Sequence, residues 1–275
     1  MIVAASIEEA REAVRALPRP LGFVPTMGAL HEGHRRLVTA ARAACASVAA
    51  SVFVNPLQFG PGEDFERYPR DLAADRAMLE AAGVAVLFAP APQTIYPAGF
   101  STSVDVGPMG ASFEGKIRPT HFRGVATVVT KLLQIIEPDA LYLGQKDAQQ
   151  TAVLRRVVRD LAIPARVEVV PTVREADGLA LSSRNVYLSP QERAAAPSLH
   201  AALNAMLAAL RGGATPAQAR STGLAALDPL GRPDYLELVD AESFERIDRL
   251  GVPAFLIAAA AFGTTRLLDN LWVAA

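Results

Sequence analysis

A single cysteine, Cys45, stands among 275 residues, so no disulfide can close within one chain. Disulfide-dense secreted scaffolds are thereby excluded, and a reducing cytoplasm is the expected setting. Neither sign of charge is in excess: 27 basic residues face 28 acidic ones, for a formal net charge of −1. No run of Lys and Arg advertises nucleic acid or an anionic membrane surface as a partner. Long apolar runs are missing too. The longest, residues 252–262, is about eleven residues, where a membrane helix needs roughly twenty. The brief apolar start gives way to Glu8, Glu9 and Glu12, so no signal peptide is expected. The G-x-S-x-G of serine hydrolases is absent, and no Cys or His cluster supplies an obvious set of metal ligands.

What is present is a large apolar fraction, 51% of residues, enough for a substantial core. Strand-like runs occur at 21–24, 48–54, 84–88, 102–106, 140–143 and 166–170. Helix-like runs at 35–45, 72–82, 125–136 and 149–161 separate most of them. Alternation of this kind predicts a Rossmann-like parallel sheet with right-handed crossovers over residues 1–173. The rhythm then changes. Ser189 and Pro190 open an Ala/Leu-rich helix to about 210, Gly212 and Gly213 end it, and a second short helix follows. Strand-like segments lie at 235–239, 255–262 and 266–273. Residues 174–275 are therefore expected to form a smaller α+β domain. Cys45, on the apolar face of the first proposed helix, reads as a core residue.

The most informative stretch is Met27-Gly28-Ala29-Leu30-His31-Glu32-Gly33-His34, where the first predicted strand hands over to the first helix. That handover is where nucleotides bind in open α/β sheets. A helix N-terminus offers N–H groups and a positive dipole end to phosphate, and His31 and His34 add directed donors. Their spacing of three is not the four of H-E-x-x-H metalloproteases. Asn55-Pro56-Leu57-Gln58-Phe59-Gly60 follows the second strand, and Gln58 can both donate and accept. Gly144-Gln145-Lys146-Asp147 follows a later strand. There Gly144 permits close backbone approach, Lys146 supplies a point charge, and Gln150, four residues on, would share its helical face. Leu181-Ser182-Ser183-Arg184 sets two hydroxyls and a guanidinium in succession, a good phosphate clamp. His121-Phe122-Arg123-Gly124 could line a pocket or cap a helix, and His200 reads as structural. Singly, each motif also fits a plain turn, cap or linker.

Together and in this order, the motifs closely resemble the pantoate–β-alanine ligase family. The resemblance is dense from about residue 18 to 195, takes in residues 63–70, and thins beyond. It implies ATP as a substrate with Mg²⁺, pantoate and β-alanine as the other small-molecule substrates, a homodimer, and a C-terminal domain that closes over the site. Pantoate would attack the α-phosphate to give pantoyl adenylate and pyrophosphate. The amine of β-alanine would then release AMP and pantothenate. By position, Met27, Gly28, Ala29, Leu30, His31, Glu32, Gly33 and His34 would line the ATP site. Gly144, Gln145, Lys146, Asp147, Val173, Leu181, Ser182, Ser183 and Arg184 would complete it. His34 would be the proton donor, with His31, Lys146 and Arg184 also catalytic. Gln58 and Gln150 would hold pantoate, Gln58 would also lie near β-alanine, and Asp75 matches an acidic position proposed to reach Mg²⁺. Gln145 stands where many members have Glu, Ala148 where they have an aromatic residue, and Leu181 where some have Met. The alternatives are another H-x-G-H nucleotidyltransferase and a non-catalytic nucleotide-binding module.

Overall fold

Strands separated by helices pair in parallel, and the computed structural model, which describes residues 1–274, has that arrangement. Six strands form one sheet in the order β1-β4-β3-β2-β5-β6. They are β1 (Ile2–Ala4), β2 (Leu21–Thr26), β3 (Ser47–Val52), β4 (Val86–Phe88), β5 (Ala140–Gly144) and β6 (Arg166–Val170), and every pair is parallel. Three further strands, β7 (Gly231–Asp240), β8 (Ala254–Phe262) and β9 (Thr265–Val273), make an antiparallel sheet. The fold is thus a Rossmann-like α/β sheet accompanied by a smaller α+β part. In the large sheet β2 pairs with β3 on one side and β5 on the other. That is a topological switch point, whose carboxyl-end crevice binds ligands in open α/β sheets.

The chain divides into two compact units. The first holds Met1–Gly144 and Val153–Val170; the second holds Gln145–Ala152 and the chain from Pro171 onward. Within the first, the two-residue period of a strand sends alternate side chains to opposite faces. Phe23, Leu141 and Leu143 join one core with Ile95, Leu133 and Ile136. Val24, Ala140 and Tyr142 join the other with Val38, Leu79 and Leu87. Cys45 belongs to that second core, its Sγ 3.5 Å from the Tyr142 hydroxyl. Within the second unit, Leu203 and Met206 of helix Ser198–Arg211 pack with Leu256 and Phe262 of β8.

Five elements depart from the sequence reading. Strand β1 and helix Ile7–Arg15 were not expected. The acidic residues that argue against a signal peptide form instead the polar side of a helix, capped reciprocally by Ser6 and Glu9. Residues 102–106 form no strand, because the Val104 N–H goes to Thr127 Oγ1 at 2.9 Å rather than to a ladder. The helix expected from 189 to 210 is two, Pro190–Ala195 and Ser198–Arg211, separated at Pro197, whose ring cannot continue a helix. The helix expected from residue 125 starts a turn earlier, as His121–Ile136.

Candidate active site

Strand β2 ends at Thr26, and helix Glu32–Ala44 begins after His31, its N-cap. The connection is held from behind. The Asp75 carboxylate accepts from the N–H groups of Ala29 (3.1 Å) and Leu30 (2.8 Å), and Gly28 N–H donates to Thr26 Oγ1. Ala29 is held with φ at +51°, a left-handed conformation that a non-glycine residue adopts only when its surroundings enforce it. Burial raises the Asp75 carboxyl above its usual range, and the Leu30 and Ala29 N–H groups offset this only partly.

The helix start is closed internally as well. Gly33 N–H donates to His31 Nδ1 at 3.1 Å, and His31 N–H donates to His34 Nδ1 at 3.2 Å. Several of the N–H groups that the sequence reading offered to phosphate are therefore already used. The donors move to the imidazoles. An imidazole that accepts at Nδ1 can donate only from Nε2. The rings lie side by side, centroids 4.2 Å apart. Gly33 makes this possible: a Cβ there would lie 2.8 Å from His31 Cε1.

Gln58 is 7% exposed and sits in a 3₁₀ turn, Pro56–Gln58, after β3. Its Oε1 accepts from Asn55 Nδ2 (3.0 Å), and its Nε2 donates to Met27 Sδ (3.0 Å). Asn55 in turn donates to Gly124 O and accepts from the Tyr96 hydroxyl at 2.7 Å. The Gln58 carbonyl accepts from His121 Nδ1 (3.0 Å) and Arg118 Nη2 (3.1 Å). Arg118 also forks onto Glu63. Burial alone would raise the Glu63 carboxyl, and Arg118 outweighs it to hold that carboxyl low. Asn55 stood inside a motif the sequence singled out and Glu63 inside the 63–70 stretch of the resemblance, but Tyr96 and Arg118 did not announce themselves. Arg118 and Glu63 lie 55 positions apart, and only the fold pairs them.

In the second unit, Lys146 belongs to a 3₁₀ turn, Gln145–Asp147, ahead of helix Ala148–Asp160. The tighter turn alters the expected relation of Lys146 to Gln150, which assumed a continuous α-helix. Lys146 Nζ lies 3.2 Å from Asp147 Oδ1. A single bridge pairs Arg174 with Ala180, and Leu181 N–H donates to Val173 O at 3.0 Å. Val173 and Leu181 thus meet. Ser182 caps the 3₁₀ turn Ser183–Tyr187 by accepting from Arg184 N–H at 3.2 Å. Ala148 is buried, and His200 Nδ1 lies 3.4 Å from Asp269 Oδ2, a structural setting. In the first unit, a Cβ on Gly144 would meet open space at the end of β5.

The donor set does not build a protein metal cage. Among the described residues no group of three or more His, Cys, Asp or Glu could hold an ion. Each Asp75 oxygen serves a backbone N–H. Asp75 fits a residue that shapes the 27–31 loop.

His121 carries a pH signature. Burial first, and the Arg118 charge second, push its pKa down from 6.5 to about 4. Between those values the unfolded chain takes up the proton and the folded chain refuses it, so stability falls as pH falls through the window. The loss is about 2 kcal/mol by pH 5 and approaches about 3 kcal/mol near pH 4. Urea titrations from pH 7 to 4 should show His121→Asn losing less stability than the parent by this amount. Parallel curves for the two proteins would refute the assignment.

Comparison with known proteins is consistent along the whole chain. The family model described as pantoate-beta-alanine ligase matches residues 2–272. A pantothenate synthetase from Chloroflexus aggregans is 52% identical over 274 residues, covering 98% of this chain and 99% of that protein. The crystal structure of pantothenate synthetase from Thermus thermophilus superposes with a TM-score of 0.95 at 52% identity, covering 100% of both chains. A Francisella tularensis pantoate-beta-alanine ligase, solved with beta-gamma ATP and beta-alanine, gives 0.80 at 35% identity, covering 99% of this chain and 97% of that one.

Proposed function

This chain belongs to the pantoate–β-alanine ligase family, and from that premise we propose how its residues condense (R)-pantoate with β-alanine using ATP. The observation that carries the reading is the family match across residues 2–272, with the His31–His34 pair intact at the β2 switch point. The pantoate carboxylate is already a nucleophile, so no Ser or Cys is needed. It attacks the α-phosphorus of ATP, the bond to the bridging oxygen breaks, and pyrophosphate leaves. Charge is the obstacle, because an anion approaches a polyanion. His34 donates from Nε2 to the phosphates, with His31 beside it and Lys146, Ser182, Ser183 and Arg184 neutralising the leaving group. Met27 to Gly33, Gly144, Gln145, Asp147, Val173 and Leu181 complete the nucleotide site.

Gln58 and Gln150 hold pantoate, and Gln58 also lies near β-alanine. Support for Gln58 is its fixed carboxamide, held between Asn55 and Met27. In the second step the β-alanine amine attacks the acyl carbon, AMP leaves, and the amine's proton passes to solvent. Positioning dominates that step. We assign the C-terminal unit the part of a lid that keeps water from the adenylate. Mg²⁺ bound to the triphosphate, its common partner, would supply further positive charge against the departing pyrophosphate. We place the enzyme in the cytoplasm as a homodimer. Among the described residues no helix is long and apolar enough to cross a membrane.

The deciding experiment supplies ATP, Mg²⁺, D-pantoate and β-alanine. AMP should form only with both organic substrates, and pantoyl adenylate should accumulate when β-alanine is withheld. Pyrophosphate exchange without pantoate would favour a different H-x-G-H nucleotidyltransferase. Tight ATP binding without turnover would favour a non-catalytic module.

A further inference from the structure

Strand β9 reads Thr265-Arg266-Leu267-Leu268-Asp269-Asn270-Leu271-Trp272-Val273, and two polar side chains in its middle are buried, Asp269 at 4% and Asn270 at 2% exposure. A buried polar group is costly unless its hydrogen bonds are made. Both residues direct theirs to loops assigned above to the nucleotide. Asn270 Nδ2 donates to the carbonyls of Gln145 (2.9 Å) and Lys146 (2.8 Å). Its Oδ1 accepts from Gln145 Nε2 at 3.1 Å. Asp269 takes a two-pronged pair of bonds from Arg174, at 2.6 and 2.8 Å. Arg174 also donates to the carbonyls of Gly178 and Asn270. Burial alone would raise the Asp269 carboxyl, but the nearby His200 ring, 3.4 Å away, and the Arg174 bonds outweigh it and hold the carboxyl below its usual range.

We propose that Asp269 and Asn270 are positioning residues for ATP. Asn270 fixes the backbone from which Lys146 projects, and Asp269 fixes the base of the 173–184 segment through Arg174. The proposal rests on the reading of Lys146 and residues 181–184 as nucleotide contacts. It also accounts for Gln145. An amide there donates to Asn270 Oδ1 while Asn270 keeps both N–H groups on the carbonyls. A carboxylate at 145 could not make that bond.

Asn270→Asp keeps the shape and removes both carbonyl-directed donors. In pantoate-dependent pyrophosphate exchange it should raise the KM for ATP about tenfold or more, since displacement of a binding group by about 1 Å can cost 10²-fold. The KM values for pantoate and β-alanine should stay within about twofold. Asn270→Ser, which retains one short donor, should recover part of the loss. If Asn270→Asp does not fold, Asn270→Ser decides, with an expected rise of about threefold in the KM for ATP alone. An unchanged KM for ATP in a folded variant, or an equal rise for all three substrates, overturns the proposal. Lys146→Ala is run alongside. If the parent is active but Lys146→Ala leaves ATP kinetics untouched, the nucleotide-site reading has failed. If Lys146→Ala is impaired and Asn270→Asp is not, the positioning proposal alone has failed.

Discussion

His34→Ala should slow pantoate-dependent pyrophosphate release by about 10²–10³-fold, the usual effect of deleting one donor aimed at developing charge. The fold should survive. What the structure loses is the acceptor for His31 N–H at 3.2 Å, a bond worth about 0.5–1.5 kcal/mol. Two further variants separate the ring's two edges. Asn at 34 puts an acceptor near the place of Nδ1 but nothing at Nε2, so it should restore stability without restoring rate. Gln reaches further and can present an N–H near the Nε2 position, so it should recover some rate. A pure His34→Ala enzyme with parental pyrophosphate release would remove His34 from the chemistry. Rate recovery by Asn rather than Gln would reassign its role to the helix cap.

The contrast between the two histidine edges shows where sequence reading reached and where it stopped. The H-x-G-H spacing at a strand–helix junction is local, and locality makes it legible: N-cap, first turn and glycine all lie within four residues. The parallel sheet was legible for a similar reason, since runs of apolar residues alternate with helical periods. What stayed hidden depends on distant pairs. Asp75 meets Ala29 and Leu30 across 46 and 45 positions, and Arg174 meets Asp269 across 95. No periodicity encodes such partners. A weaker signal did exist for β9, where Asp269-Asn270 interrupts a run of leucines. Two adjacent polar residues inside an apolar strand require partners, and asking which backbone they satisfy would have pointed to an anchoring role. Pro197 was visible but outweighed by Ala/Leu richness, although one missing N–H and a clashing ring suffice to end a helix.

Gly124→Ala should weaken pantoate use at least tenfold while leaving the KM for ATP nearly unchanged. Helix propensity alone predicts the opposite of harm, since Ala is favoured over Gly in a helix by about 1 kcal/mol. Packing decides otherwise. A Cβ at 124 would lie 2.3 Å from Leu57 O, 2.4 Å from Leu57 C and 2.6 Å from Gln58 N. All three neighbours are backbone atoms, so no flexible side chain can swing aside. Normal contact requires about 1 Å more separation, and overpacking of this kind costs about 1–3 kcal/mol. Helix His121–Ile136 and the Pro56–Gln58 turn must therefore part. Asn55 bridges them, donating both to Gly124 O and to Gln58 Oε1, so parting them disturbs the carboxamide proposed to hold pantoate. Gln58→Ala is the reference. It should raise the pantoate KM by a comparable factor without the fall in melting temperature that the clash produces. A Gly124→Ala enzyme with a raised melting temperature and parental pantoate KM would show that propensity wins and that the turn moves without consequence for Gln58.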